Sequence, residues 1–383
     1  MLTDNAVITS GQNLVRLIAF YLPQFHIIPE NDEWWGKGFT EWTNVTKAKP
    51  MFQGHYQPHL PADLGFYDLR LPEAREAQAA LARRYGVHGF CYYHYWFNGR
   101  RILERPFADV LASGRPDYPF CLCWANENWT RRWDGCEHEI LLGQQHSAED
   151  DEAHILALIP AFQDKRYIRV NDKALMLIYR TELLPSTEKT AEIWRRAARA
   201  NGVELYLCGV EGFSSGVDPA SMGFDAAVEF APTVNLLNRI PLVGPRGVVS
   251  RLPRGREKAM RIALASGVVN RSLLTNSVYR YEDVVKESLS KPAPGYKRFS
   301  CVCPSWDNSA RKAKDAVILV GSTPDLYKSW LEESISKLDS VPTSERIVFI
   351  NAWNEWGEGC HLEPDARHGT AYLEATAQAL GLT

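Results

Sequence analysis

Two carboxylates three residues apart, Glu355 and Glu358, form the pattern with the clearest chemical meaning in this sequence. They follow an apolar run, 347–353, and are separated by Trp356 and Gly357. An apolar strand that delivers polar groups at its carboxyl end is how barrel enzymes place catalytic residues. Cleavage of a glycosidic bond requires two carboxyl groups, and aromatic neighbours suit a sugar ring. Glu355 and Glu358 are therefore the candidate catalytic residues.

These two side chains share one face only if the chain leaves strand geometry between them. Residues three apart in a strand point to opposite faces, whereas on a helical or turn-like path their Cβ atoms lie about 5–6 Å apart. Gly357 and Gly359 permit such a turn. Close carboxylates split their pKa values, which leaves one protonated as an acid and one ionised as a base. The alternative is that one of the pair only forms an ion pair or caps a helix. In that case Glu127 and Glu229 are the next candidates for the second catalytic residue.

Aromatic and amide side chains cluster at the ends of the other apolar runs. Ten of the 12 tryptophans lie at these ends or in the long segment after the first run. Sugars present CH surface to flat rings and hydroxyls to polar groups. Core packing remains the competing interpretation for individual rings. We expect a sugar-binding cleft formed by Tyr21, Tyr93, His94, Trp96, Trp124, Asn126, Glu127, Trp129, Glu229, Trp306, Trp353, Asn354 and Trp356.

Eight apolar runs can position these residues. Runs without polar alternation are typical of parallel strands buried on both faces. Eight such strands alternating with helices predict a (β/α)8 TIM-type barrel, an α/β fold. A doubly wound open sheet is the alternative, but no glycine-rich phosphate loop follows the first run. The runs are 16–22, 86–93, 119–125, 173–179, 204–210, 225–230, 299–304 and 347–353.

The remaining sequence predicts one catalytic domain over residues 1–383. Two segments, 23–67 and 232–295, exceed ordinary connection lengths. Both leave strand ends at the C-terminal face of the barrel, so we expect these long loops to wall the cleft. Helix-like stretches lie between the strands at 71–85, 148–162, 187–200, 256–266, 325–337 and 368–380.

Composition argues against several other classes of protein. The formal net charge of -3 provides no basic field for nucleic acid, and the basic stretch 246–261 reads as a solvated loop. The first residues lack the features of a signal peptide, and no apolar run reaches the roughly 18 residues of a transmembrane helix. The eight cysteines lack zinc-type C-x2-C pairs, which favours buried free thiols. We expect a cytoplasmic protein that does not insert into membranes; the oligomeric state stays open.

The histidines do not predict a metal site. His55 and His59 have the spacing of helical metal ligands, but Gln57, Pro58 and Pro61 argue against a helix there. The sequence also lacks the D-x-D motif and the phosphate cradle that a metal-dependent nucleotide-sugar transferase needs. We therefore predict no metal and no cofactor.

At these motifs the sequence resembles glycoside hydrolase family 99 and, more closely, the related WbsX-type proteins, which are bacterial proteins associated with surface-polysaccharide loci. The resemblance covers nearly the whole chain. It implies a (β/α)8 barrel and a retaining glycosidase without a metal requirement. The combination of motifs is specific, whereas any one alone is weak: FYLPQFH at 20–26, WWGKGFTEWT at 34–43, GFCYYHYW at 89–96, WANENW at 124–129 and WNEWGEGCHLEPD at 353–365.

The resemblance also implies separate roles for the two acids. Family 99 enzymes are endo-acting on α-mannosides, and their E-W-x-E motif maps onto Glu355 to Glu358. By that mapping Glu355 is the base that activates the sugar's own 2-hydroxyl, which forms a 1,2-anhydro sugar. Glu358 protonates the leaving oxygen and then activates water. Gly357 stands where family 99 typically carries His, a departure that bears on substrate specificity.

Three functions fit these observations. The first is a retaining, endo-acting glycoside hydrolase whose partner is an oligo- or polysaccharide, such as a bacterial surface polysaccharide or an α-mannoside-like glycan. The second is a glycosyltransferase in lipopolysaccharide or O-antigen biosynthesis, since WbsX-type proteins have carried that label. The third is a non-catalytic carbohydrate-binding barrel.

Overall fold

The barrel closes through its first strand. A computed structural model describes residues 15–131, 136–243, 275–312 and 314–382, together with residues 258, 262, 265 and 266. Strand β1 pairs in parallel with both β2 and β8, the second and last barrel strands, so the sheet has no open edge. The predicted (β/α)8 barrel is confirmed, and the open doubly wound sheet is wrong. The strands are β1 (Arg16–Tyr21), β2 (Val87–Phe97), β3 (Phe120–Trp124), β4 (Lys173–Ile178), β5 (Leu205–Glu211), β6 (Ala226–Glu229), β7 (Arg298–Val302) and β8 (Ile347–Ile350).

Most helices form the outer layer of the barrel, whereas Pro29–Trp35, Glu41–Lys47 and Val234–Leu237 lie in the two long segments at its mouth. Side-chain caps begin several helices: the Ser147 hydroxyl accepts from the Asp150 amide at the start of Ala148–Phe162, and the Thr323 hydroxyl accepts from the Leu326 amide at the start of Pro324–Ser336. The helices are α1 (Pro29–Trp35), α2 (Glu41–Lys47), α3 (Pro72–Arg84), α4 (Arg105–Ser113), α5 (Ala148–Phe162), α6 (Thr187–Ala200), α7 (Val234–Leu237), α8 (Tyr281–Ser290), α9 (Pro324–Ser336) and α10 (Ala371–Ala379).

The predicted helices 148–162 and 187–200 coincide with α5 and α6. The predicted helix 256–266 and the basic stretch 246–261 lie largely outside the described residues.

Small strand pairs stand above the barrel at its C-terminal end. Arg100–Ile102 extends β2 as a hairpin, and Trp129–Arg131 pairs with Cys136–Leu142. Ser277–Arg280 runs parallel to Val317–Val320. The pair most important for the site is Asn354–Glu355 with Cys360–His361. These additions build walls around the mouth of the barrel.

The core fills the barrel and the layer between strands and helices. The residues of β3 and β8 are all buried, as expected for strands covered on both faces. Among the helices of the described residues, none combines the length and apolarity needed to cross a membrane. The predicted buried free thiols are confirmed for the seven cysteines whose side chains are described: Cys91, Cys121, Cys123, Cys208, Cys301, Cys303 and Cys360.

Candidate active site

A tight turn after β8 brings the two candidate acids to the mouth of the barrel. Residues Trp356–Glu358 form one 3-10 turn, and Gly359 follows with φ +55°, a left-handed conformation that glycine adopts without strain. The flanking residues pair as a two-stranded ribbon, Glu355 opposite Cys360. The Asn354 side chain ties this ribbon to the end of β1, because its amide donates to the Leu22 carbonyl and accepts from the Leu22 amide. Glu355 and Glu358 thereby both reach the cleft.

One guanidinium group holds both acids. The Nη2 atom of Arg311 lies 2.9 Å from Oε2 of Glu355, and its Nη1 atom lies 2.8 Å from Oε1 of Glu358. Its Nε atom donates to Oε1 of Glu41 at 2.8 Å. The Arg311 side chain is only 12% exposed. The two acids of the turn and the sequence-distant Glu41 thus meet at one cation.

Glu41 belongs to helix α2, which packs beside the turn that carries the acids. Its side chain is fully buried, and Oε2 has no hydrogen-bond partner among the described residues. Gly357 faces it so closely that a Cβ atom at position 357 would lie 1.8 Å from Oε1 of Glu41. The absence of a side chain at Gly357 therefore makes room for the third carboxylate.

The charge balance of this cluster favours retention of a proton. Burial, with the neighbouring carboxylates Glu358 and Glu41 adding to it, raises the pKa of Glu355 to about 8 against the lowering effect of Arg311. Burial likewise raises the pKa of Glu358. Burial opposes the charge on Arg311, yet the three carboxylates raise its pKa well above the ordinary value. Burial and the mutual repulsion of the three carboxylates outweigh the lowering effects of Arg311 and Lys312, which favours a proton shared within the cluster.

The cleft above these acids has a volume of about 390 Å³, and eight aromatic rings are among its lining residues. Both long segments contribute to its wall, the first through Gln24 and Trp35 and the second through Pro232, Val234 and Leu237. Rings beside carboxylates and amides suit the two kinds of surface that a sugar presents. The predicted residues that the structure brings together in this cleft are Tyr93, Glu127, Trp129, Trp306, Glu355 and Glu358.

Strand β2 shows why several predicted residues do not line the cleft. Successive side chains of a strand point to opposite faces. Tyr93 and Tyr95 face the cleft, so His94 and Trp96 point into the helix layer. There the His94 Nε2 atom lies 3.0 Å from Nε2 of His154, and the Trp96 indole donates to Asp150 at 2.9 Å. The expectation that His94 and Trp96 bind substrate is therefore corrected.

Four predicted rings pack inside the protein instead. The Tyr21 hydroxyl donates to Gln78 on α3. Trp124 packs against Trp194 on α6 with ring centroids 5.6 Å apart. Trp353 contacts Phe90 and is fully buried. The Trp356 indole donates to Glu363 at 2.7 Å. Tyr21, Trp124, Trp353 and Trp356 position the strand ends rather than line the cleft.

Three predicted polar residues also have structural contacts outside the cleft. Asn126 is fully buried and exchanges two hydrogen bonds with the backbone of Arg180. Glu229 forms an ion pair with Lys291 at 3.2 Å. The side-chain amide of Asn354 forms hydrogen bonds with the backbone of Leu22, at the end of β1. These residues are drawn away because buried amides and carboxylates require partners.

Sequence reasoning missed the cation at the centre of the cluster. Arg311 lies in a loop after the short 3-10 helix Asn308–Ala310, where no strand or motif marks it. Glu41 stood within the WWGKGFTEWT motif but carried no predicted role. Five aromatic residues of the cleft were also absent from the predicted set: Trp35, Tyr95, Tyr179, Phe213 and Phe230. A lone arginine far from any motif gives no signal until the fold places it beside acids.

The chain is a closed (β/α)8 barrel that presents Glu355 and Glu358 at its carboxyl face, the face where barrels of this kind carry their active sites. The structure is similar to the family 99 endo-α-mannosidase of Bacteroides thetaiotaomicron, with a TM-score of 0.55 and 14% identity over 96% of both chains when that enzyme is bound to bis-tris-propane. It is also similar to a protein described as glycoside hydrolase-like, with a TM-score of 0.57 and 13% identity over 99% of this chain and 97% of the other. At such identities the likeness establishes the fold.

The family follows from the sequence itself. The chain belongs to the family described as glycosyltransferase WbsX, whose model matches residues 17–376. It is 45% identical over 366 residues to the protein named WxcX in two strains of Xanthomonas campestris pv. campestris. That match covers 95% of this chain and 49% of the relatives, so the chain spans about half their length.

Proposed function

We propose that the protein is a retaining glycoside hydrolase that uses Glu355 and Glu358 to cleave within a bacterial surface polysaccharide or an α-mannoside-like glycan. The observation that carries the proposal is the contact of both carboxylates with one buried guanidinium, at 2.9 Å and 2.8 Å, at the floor of an aromatic cleft. A pair of carboxyl groups at a sugar-sized, ring-lined site is what glycosidic cleavage requires.

In the proposed reaction the substrate supplies its own nucleophile. Glu355 takes the proton of the sugar 2-hydroxyl, and that oxygen bonds to the anomeric carbon. The bond to the leaving oxygen breaks as Glu358 protonates it, which leaves a 1,2-anhydro sugar. Water then attacks the anomeric carbon, Glu358 takes the water proton, and the opened oxygen regains its proton from Glu355. Two inversions give net retention.

The electrostatics support a pair that shares protons. The raised pKa values of Glu355 and Glu358 keep an acid available near neutral pH, and Arg311 holds the ionised partner. The free cleft favours the proton on Glu355, whereas the proposed base must be ionised when sugar binds. Because the two sites are coupled, a proton that moves from Glu355 to Glu358 prepares both groups at once.

Separate substitutions test the two roles. We expect Glu355→Gln and Glu358→Gln each to leave the protein folded and to lower turnover on a polysaccharide by at least about a hundredfold. Only the acid variant Glu358→Gln should recover the first step, measured as a burst of fluoride release, on a glycosyl fluoride, whose leaving group needs no proton. Glu204→Gln is the control, since Glu204 pairs with Arg199 at the protein surface.

The assay is hydrolysis of a glycan panel, with the anomer of the first product read by NMR. Full activity of either Gln variant, or inversion at the anomeric carbon, would overturn the mechanism.

The family description supports a second candidate, a glycosyltransferase in lipopolysaccharide or O-antigen assembly. The same site would then transfer a sugar to an acceptor hydroxyl instead of to water. This candidate predicts thermal stabilisation by a nucleotide sugar and product only when donor and acceptor are both present. If product is released when polysaccharide is the only substrate added, the activity is hydrolysis.

A further inference from the structure

A second polar cluster lies behind the turn that carries the acids. It consists of His59 from the long loop after β1, and His361 and Asp365 from the segment after the turn. All three residues are buried, at 7%, 5% and 4% exposure. One ligand atom from each lies within 4.8 Å of the others. None of the three lines the cleft, so the proposed reaction does not use them.

The hydrogen bonds of His361 determine which of its nitrogens carries the proton. Its Nδ1 atom lies 3.0 Å from the backbone carbonyl oxygen of Glu363, which can only accept, so Nδ1 is protonated. In the neutral ring with its proton on Nδ1, the Nε2 atom carries no hydrogen. The Nε2 atom consequently presents a lone pair. A backbone carbonyl on the far nitrogen is also the usual support of a metal-binding imidazole.

Asp365 presents a carboxylate oxygen to the region beside Nε2 of His361. Its Oδ1 atom accepts hydrogen bonds from the amides of Arg367 and His368, at 2.8 Å and 2.6 Å, which fixes the side chain. Its Oδ2 atom lies 3.9 Å from Nε2 of His361. A cation between these two atoms would stabilise the buried carboxylate, since buried charges are paired or coordinate metals.

His59 completes the set. Its Nδ1 atom lies 3.0 Å from Nε2 of His361. Without an ion, Nδ1–H of His59 donates to that lone pair; with one, the neutral ring carries its proton on Nε2 and offers Nδ1. The loop that presents His59 is not a helix, so its partner is not His55 but two residues about 300 positions away.

We propose that His59, His361 and Asp365 bind a divalent transition-metal ion, with Zn²⁺ as the ion that this donor set favours. Two imidazole nitrogens and one carboxylate oxygen form a three-ligand zinc set with a fourth position left open. A cavity of about 120 Å³ lined by these residues provides room there for water.

The position of the site gives the ion a structural role. The His361 ring stacks on Trp356 with centroids 3.7 Å apart, and Trp356 lies between Glu355 and Glu358 in sequence. The ion ties the long loop after β1 to the segment behind the acids. This inference is independent of the proposed reaction, because no sugar contact or proton transfer passes through the ion.

Asp365→Asn is the sharpest variant. The side-chain oxygen keeps the two backbone hydrogen bonds from Arg367 and His368, and the neutral amide replaces the anionic ligand atom. We expect this variant, freed of metal, to unfold at the same temperature as the metal-free wild type or higher, and to bind zinc more than about tenfold more weakly. A residue with a merely structural role would not combine these two results.

The measurement uses the full chain without a histidine tag, stripped with EDTA and titrated with ZnCl2. We expect the wild type to bind about one tight zinc ion, by calorimetry and by elemental analysis after desalting, and to melt several degrees higher with zinc. His88→Asn is the control, since it removes an imidazole at the opposite end of the barrel and should leave both results unchanged. Failure of the wild type to take up zinc, or an equal melting shift in Asp365→Asn, overturns the proposal.

Discussion

Arg311 is the central residue of the candidate active site. It contacts Glu41 on α2 and both Glu355 and Glu358 at the turn after β8. An arginine fork suits this task because its donors lie in one plane at fixed angles. The sequence predicts the two acids from their motif, but it cannot predict the cation, since only the folded chain brings position 311 beside positions 41 and 355.

Gly357 should tolerate no side chain. A Cβ atom there would meet Glu41 at 1.8 Å and Arg311 at 2.8 Å. We expect Gly357→Ala to lower the free energy of unfolding by about 1–3 kcal/mol, as overpacking does, and to abolish turnover. Urea unfolding measures the first effect. Gly295→Ala is the control, because a Cβ atom at Gly295 meets nothing within 4 Å. A Gly357→Ala variant with the same free energy of unfolding and turnover as wild type would contradict the expected steric clash.

The raised pKa of Glu355 has a defined effect on stability. The folded pKa of about 8 exceeds the ordinary value of 4.5, so the unfolded chain loses its proton first as pH rises. The favourable contribution of Glu355 is complete below the unfolded pKa and is lost between about pH 4.5 and about pH 8. We expect wild type to lose stability relative to Glu355→Gln across that window, measured by urea unfolding at each pH. Parallel curves would contradict this electrostatic account.

At the scale of elements, strand positions were predictable and strand faces were not. All eight apolar runs became barrel strands, because burial on both faces leaves a continuous apolar signature. That same signature hides which residues face the barrel mouth. In β2, Tyr93 and Tyr95 line the cleft while His94 and Trp96 meet the helices. Successive side chains of a strand point to opposite faces, so the sequence shows that neighbours differ in direction. Which of them points into the cleft depends on the closed barrel.

Helix α2 sets the electrostatics of the turn through Glu41. The buried charge of Glu41 raises the pKa of both Glu355 and Glu358. If the proposed reaction holds, Glu41→Gln should move the alkaline limb of the kcat profile down by about half to one pH unit. KM should change little, because Glu41 does not line the cleft.

A matched substitution in the same long loop separates this effect from general disturbance. Glu30 in α1 forms a surface ion pair with Arg100, so Glu30→Gln should leave the pH profile in place. If the alkaline limb of the kcat profile does not move in Glu41→Gln, and the variant melts at the wild-type temperature, Glu41 does not raise the pKa of the catalytic acids.

At the scale of the whole molecule, the aromatic residues are distributed unevenly. Trp35, Trp129 and Trp306 line the cleft, whereas Trp194 and Trp330 are buried in the helix layer at 0% and 3% exposure. This separation follows from the barrel, which gathers the carboxyl ends of its strands and their loops at one face. The composition alone cannot show it, because it counts tryptophans without placing them.

This asymmetry makes the protein its own reporter of glycan binding. A sugar that enters the cleft stacks on exposed rings and removes water from them. We expect the intrinsic fluorescence of Glu358→Gln to change on titration with a bound oligosaccharide. Adding Trp306→Phe or Trp129→Phe should remove most of that change and weaken binding. Adding Trp330→Phe should lower the starting intensity and leave the change intact, since Trp330 packs against Tyr281 away from the cleft. An equal response in all three double variants would place the sugar elsewhere on the molecule.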